Sequence, residues 1–136
     1  MSKRTTINVM IVDESFFIRK MIKTILYSEK NYQVVAESNS GAEAVSLARN
    51  LKPDIIVFGK DINGLSCQEL REKLNLYENN FRVIIVSSYE KCKSCLIGFQ
   101  SGRCDLIQKP FDPNNFLNVL NNRLDNSMSK AQTNFK

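Results

Sequence analysis

The sequence predicts an α/β fold: a doubly wound, five-stranded parallel sheet built in the order (βα)5. Three observations predict it. Five short apolar runs alternate with five amphipathic stretches, the rhythm of repeated βαβ units. The central runs are continuously apolar and rich in Val and Ile, as strands are when helices cover both faces of a parallel sheet. Charged and hydroxyl residues stand immediately after several of these runs. In doubly wound sheets the functional crevice lies beyond the C-terminal strand ends. With 136 residues, 43% of them hydrophobic, the chain reads as one domain over 1–136 with an ample core. The folded part is expected over about 7–126, followed by a polar tail at 127–136.

The first strand is expected at Ile7–Val12. The helical stretch Ser15–Ser28 places Phe17, Met21 and Ile25 on one stripe, with Ile18 and Ile22 beside it. Gln33–Glu37 reads as the second strand. Ser40 stands three residues before Glu43, a capping-box pattern that opens a helix running to Leu51. Its inner face is expected to be Ala44, Val45, Ala48 and Leu51. Asp54–Phe58 is the third strand, and Ser66–Leu76 a helix carrying Cys67, Leu70 and Leu74. Arg82–Ser87 is the fourth strand. The fourth helix, Glu90–Ser101, is the most polar, and Gly98 weakens it. Asp105–Gln108 completes the sheet. Asp112-Pro113 is a cap followed by proline at the first helical position. Phe116, Leu117, Leu120 and Leu124 give the fifth helix its buried face, and Ser127–Lys136 is expected to fray.

The net charge of +5 favours acidic partners, but no block of five or six basic residues occurs. A nucleic-acid footprint is therefore not expected. No apolar run approaches the ~20 residues of a membrane span. Met1-Ser-Lys-Arg-Thr-Thr leads straight into a strand without an apolar signal segment, so the expected location is cytoplasmic. Cys92 and Cys95 have redox or half-zinc spacing, but there is no second pair and no histidine. Cys92, Cys95, Leu96 and Phe99 also fall on one helical face. The four cysteines, with Cys67 and Cys104, are read as structural thiols.

The strand ends carry the chemistry. Asp13-Glu14 follows the first strand, Ser87 ends the fourth, and Lys109-Pro110-Phe111 follows the fifth. Val12-Asp13-Glu14-Ser15, Lys52-Pro53-Asp54, Val86-Ser87-Ser88 and Asp105-Leu106-Ile107-Gln108-Lys109-Pro110-Phe111 resemble the bacterial two-component response-regulator receiver domain. The likeness is to stand-alone, chemotaxis-type receivers, over about residues 7–126. It implies a flavodoxin-like receiver fold and a pocket in which an aspartate accepts a phosphoryl group. Grouped carboxylates there hold a hard divalent cation such as Mg2+, and a lysine helps neutralise the transferred charge. Asp13 and Glu14 match the acid pair, Ser87 the hydroxyl and Lys109 the lysine. A cis Lys109–Pro110 bond is implied, with Lys109 in salt-bridge reach of Asp13 or Asp61.

This sequence departs from the family at three places. The acceptor position holds Gly59, which has no nucleophile. The following loop, Lys60-Asp61-Ile62-Asn63-Gly64-Leu65, departs from the usual Ile-x-Met-Pro-x-Met. The aromatic switch position holds Leu106. Asp61 turns the loop with Asn63-Gly64, or pairs with Lys109 or a metal, or serves as a displaced acceptor. The resulting expectation is a pseudo-receiver: a non-enzymatic signalling module that binds proteins independently of phosphorylation. Its partner surface would be the fourth helix, fifth strand and fifth helix, and its partner a histidine kinase or chemotaxis component. Mg2+ binding by Asp13, Glu14 and Asp61 would be weak. The alternatives are an active receiver using Asp61 and a flavodoxin-like nucleotide- or flavin-binding enzyme. Against the enzyme, the turn after the first strand is acidic and lacks a glycine-rich phosphate loop.

Overall fold

The computed structural model describes residues 6–59, 66–74, 82–87 and 104–121. Its five strands are β1 (Ile7–Val12), β2 (Tyr32–Ser38), β3 (Ile55–Gly59), β4 (Arg82–Ser87) and β5 (Cys104–Gln108). They form one sheet in the order β2-β1-β3-β4-β5, with every neighbouring pair parallel. The predicted doubly wound sheet is present, and the strand limits differ from expectation by a residue at most. The inner strands β3 and β4 are buried at every position, which is why they read as unbroken apolar runs. Asp54 helps set the register: its Oδ2 accepts the Asn8 N–H at 2.8 Å, and its own N–H donates to the Asn8 carbonyl at 2.8 Å.

Alternate side chains along each strand feed two cores, as the period-2 geometry requires. On one face Met10, Val12, Ile56, Phe58, Val83 and Ile85 pack against α2 (Gly41–Leu51) and α3 (Cys67–Leu74). On the other, Val9, Ile11, Val57, Ile84 and Ile107 meet α1 (Phe16–Tyr27) and a helix over residues 113–121. Phe111 and Phe116 stack at 5.5 Å between ring centroids on this second side. Each fully buried aliphatic or aromatic side chain stabilises the fold by about 1.5–3 kcal/mol through its removal from water.

The caps follow the sequence. Ser15 accepts the Ile18 N–H at 3.2 Å and opens α1. Ser40 accepts the Glu43 N–H, but Glu43 does not close a simple box. Ser38 Oγ stands between them, accepting the Ser40 N–H at 3.0 Å and donating to Glu43 Oε1 at 2.7 Å. Asp112 caps the helix over 113–121 by accepting the Asn115 N–H at 2.8 Å. A reciprocal box that the sequence reading overlooked opens α3. Ser66 Oγ accepts the Glu69 N–H at 3.0 Å, and Glu69 Oε1 accepts the Ser66 N–H at 2.9 Å. The spacing Ser-x-x-Glu was its available signal.

Two expected core faces are corrected. In α1 the buried residues are Ile22, Ile25 and Leu26, while Phe17 is 78% exposed and Met21 37%. Apolar side chains cover more than half of this helix, so periodicity could not choose its rotation; packing of Ile22 and Leu26 against β1 did. Leu51 of α2 is likewise exposed, leaving Ala44, Val45 and Ala48 to face the sheet. The α2 chain reverses at Lys52, in the left-handed region at φ 49°, ahead of Pro53. The expected fourth helix Glu90–Ser101, with Cys92 and Cys95, lies outside the described residues. So do Leu124, the tail and the loop bearing Asp61. Among the described residues no helix is long and apolar enough to cross a membrane.

Candidate functional site

The sheet order brings the C-terminal ends of β1, β3, β4 and β5 side by side. Val12 pairs with Phe58, so Asp13 and Gly59 are the next positions on neighbouring strands. Gly59 pairs with Val86, and Ser87 with Gln108. The Lys109 N–H then donates to the Ser87 carbonyl at 2.7 Å. Four of the expected pocket residues, Asp13, Gly59, Ser87 and Lys109, are thereby gathered at one end of the sheet. The Lys109–Pro110 bond is cis.

Asp13 is the centre of this cluster and is 5% exposed. Its Oδ1 accepts the Ser15 N–H at 2.9 Å, and its Oδ2 lies 3.6 Å from Lys109 Nζ. Its carbonyl accepts Arg19 Nη1 at 2.7 Å. Arg19 also donates through Nε to Glu37 at 2.8 Å, tying the β1–α1 turn to β2. Lys23 reaches the second oxygen of Glu37 at 2.5 Å. Sequence reasoning missed this brace, because Arg19 and Glu37 lie 18 positions apart and nothing local couples them. The Lys23 hydrogen bond holds the Glu37 carboxyl below the usual carboxylate range against the opposing effect of burial, and Arg19 assists.

Burial differs among the expected residues. Glu14 is exposed, whereas Ser87 is 2% exposed. Leu106 is half-buried, opposite Ile85, and packs on the core beneath α2 and α3. Asp61 lies outside the described residues. Beside the cluster, Leu106, Lys109, Pro110, Asn115, Asn118 and Val119 are among the residues lining a groove of about 530 Å³.

A hard cation needs several convergent oxygens. Among the described residues no group of three or more metal-ligating side chains occurs. Asp13, the buried carboxylate, already faces the Lys109 ammonium. The described residues therefore fit Mg2+ poorly.

The response regulator receiver domain family model matches residues 9–121. The chain belongs to this family. Receiver domains are in general non-enzymatic signalling modules of two-component systems. The chain is 31% identical over 116 residues to the chemotaxis protein CheY of Thermotoga maritima, covering 83% of this chain and 93% of that protein. It is 38% identical over 107 residues to the protein-glutamate methylesterase/protein-glutamine glutaminase of Bacillus subtilis, covering 76% of this chain but 29% of that protein. The chain thus spans less than a third of that longer relative. Among solved structures it resembles the response regulator domain of Thermotoga maritima CheB, with a TM-score of 0.72 and 29% identity over 88% of this chain and 95% of that one. It also resembles a chain of the CheX–CheY–BeF3–Mg complex from Borrelia burgdorferi, with a TM-score of 0.75 and 27% identity over 86% and 88% of the two chains.

Proposed function

We propose that this receiver domain signals by binding protein partners and does not use phosphoryl transfer to switch. Gly59 carries the proposal. It ends β3 beside Asp13 and opposite Val86, the position at which the family resemblance calls for the acceptor carboxylate. A glycine there offers no nucleophile. Leu106, at the position of the aromatic switch, is a branched aliphatic packed on the core. It lacks the ring whose swing would report a change in the pocket. The proposed partner surface is β5 with the helix over 113–121, where the groove beside Leu106 and Asn118 lies. By analogy with the chemotaxis relatives, the partner is a kinase or another chemotaxis component of acidic character, suited to a chain of net charge +5.

The test is intact-protein mass spectrometry after incubation with a small phosphodonor and Mg2+. No phosphoryl adduct is expected. A stoichiometric gain of one phosphoryl group, wherever it maps, refutes phosphorylation independence.

A further inference from the structure

Gly59 is an ordinary strand residue by its pairing with Val86, so backbone conformation does not demand glycine there. What demands it is Asp13. A Cβ built on Gly59 would overlap Asp13 Oδ2 and stand 2.9 Å from its Cγ. The Asp13 carboxylate therefore lies in the volume that a side chain at 59 would have to enter. Glycine permits this close approach because it has no Cβ. From that volume Oδ2 faces Lys109 Nζ at 3.6 Å, while Oδ1 is fixed by the Ser15 N–H and the backbone by Arg19.

We propose that Asp13 is the positioning residue that replaces a carboxylate at position 59. It fills the niche above Gly59 and supplies the resident anion that holds Lys109 and the Lys109–Pro110 turn over the pocket. One niche then serves two sequence positions. A carboxylate can face Lys109 from 13 or from 59, but not from both unless the Asp13 side chain turns out of its present place. Two carboxylates crowded there would also repel each other. This inference rests on the reading of the pocket as retained without its acceptor, and it adds that the pocket has repaired the loss internally. It explains how the half-buried lysine keeps an anionic partner, and how the buried Asp13 carboxylate keeps a cationic one, where an uncompensated charge is costly.

The test is a double-mutant cycle in full-length protein, measured by thermal unfolding in EDTA so that no divalent cation intervenes. Gly59→Ala adds only a methyl group. In the native background it should lower Tm by about 3 °C or more, because the methyl expels the Asp13 carboxylate. In an Asp13→Ala background the same change should shift Tm by less than about 1 °C, since the niche is already empty. If Gly59→Ala alone does not fold, recovery of folding in the double variant supports the proposal, and failure of both overturns it. Equal losses in the two backgrounds also overturn it.

A transposed carboxylate gives a readout that packing alone would not move. The Lys109 side-chain resonances should shift in Asp13→Ala toward those of an exposed lysine. They should return toward the native position in Asp13→Ala/Gly59→Asp. Lys109 resonances that stay as in Asp13→Ala would refute the exchange of roles. None of these outcomes depends on phosphorylation, so the cycle can fail while the phosphodonor result stands, and the reverse.

Discussion

Replacing Arg82 with leucine should unfold this domain more readily than any other single change at the charged residues that the structure describes. Arg82 opens β4, is 5% exposed, and is the buried guanidinium of the sheet's lower edge. Its Nε and Nη2 both reach Asp105 Oδ2, at 3.1 and 2.6 Å. Nη1 donates to the Leu120 carbonyl at 3.0 Å and Nη2 to the Val119 carbonyl at 2.7 Å. Those carbonyls lie on the helix over 113–121. One side chain thus ties β4 to β5 and to the helix that frames the proposed partner surface. Leucine keeps part of the apolar volume but removes the charged donor from two carbonyls and one carboxylate. Asp105 is 41% exposed at its side chain, so water can take it over at small cost. The two carbonyls carry most of the loss. Hydrogen bonds to a charged donor are each worth about 1.5–3 kcal/mol and are not additive, so a total of about 2–4 kcal/mol is expected. Urea unfolding should show a midpoint lower by about 1–2 M. Asp105→Asn keeps an acceptor oxygen and should cost no more than about 1 kcal/mol. A loss below about 1 kcal/mol for Arg82→Leu, or equal losses for the two variants, would refute this account.

Three further outcomes are expected. Ser66→Ala breaks one arm of the reciprocal cap on α3 and should cost about 1 kcal/mol; hydrogen exchange of the α3 amides left unchanged would argue against it. The Glu37 carboxyl is held below its ordinary value by Lys23 and Arg19, so its contribution is complete above that ordinary value. The contribution fades as pH falls through the lower folded-state value. Glu37→Gln should flatten that acidic slope by no more than about 1 kcal/mol, because the pair is partly solvated, and an unaltered slope in urea titrations from neutral to acidic pH would contradict it. Calorimetric titration with Mg2+ should give a dissociation constant of roughly millimolar or weaker, as expected for a site short of carboxylates; micromolar binding would overturn the fit drawn from Asp13 and Glu14.

The sequence by itself determined the sheet and where its chemistry lies. Unbroken Val and Ile runs imply strands covered on both faces, and that imposes helices between them. Strand ends are fixed by where each run stops. Asp13, Gly59, Ser87 and Lys109 were therefore legible as neighbours before any coordinates, because a parallel sheet aligns all its C-terminal ends on one edge. The caps at Ser40 and Asp112 were read as well, and those at Ser15 and Ser66, though overlooked, had the same kind of signal, since each acts over three residues of chain. Tertiary structure decided what depends on distant partners. Phe17 and Ile22 are equally apolar, and only the sheet beneath α1 selected which turned inward. Arg82 looked like the polar start of a strand until Val119 and Leu120 were brought over it. The Asp13 carboxylate could have pointed toward Glu14 or toward Lys109. Its choice follows from the space left by a missing Cβ on another strand, and no local pattern encodes a vacancy 46 residues away.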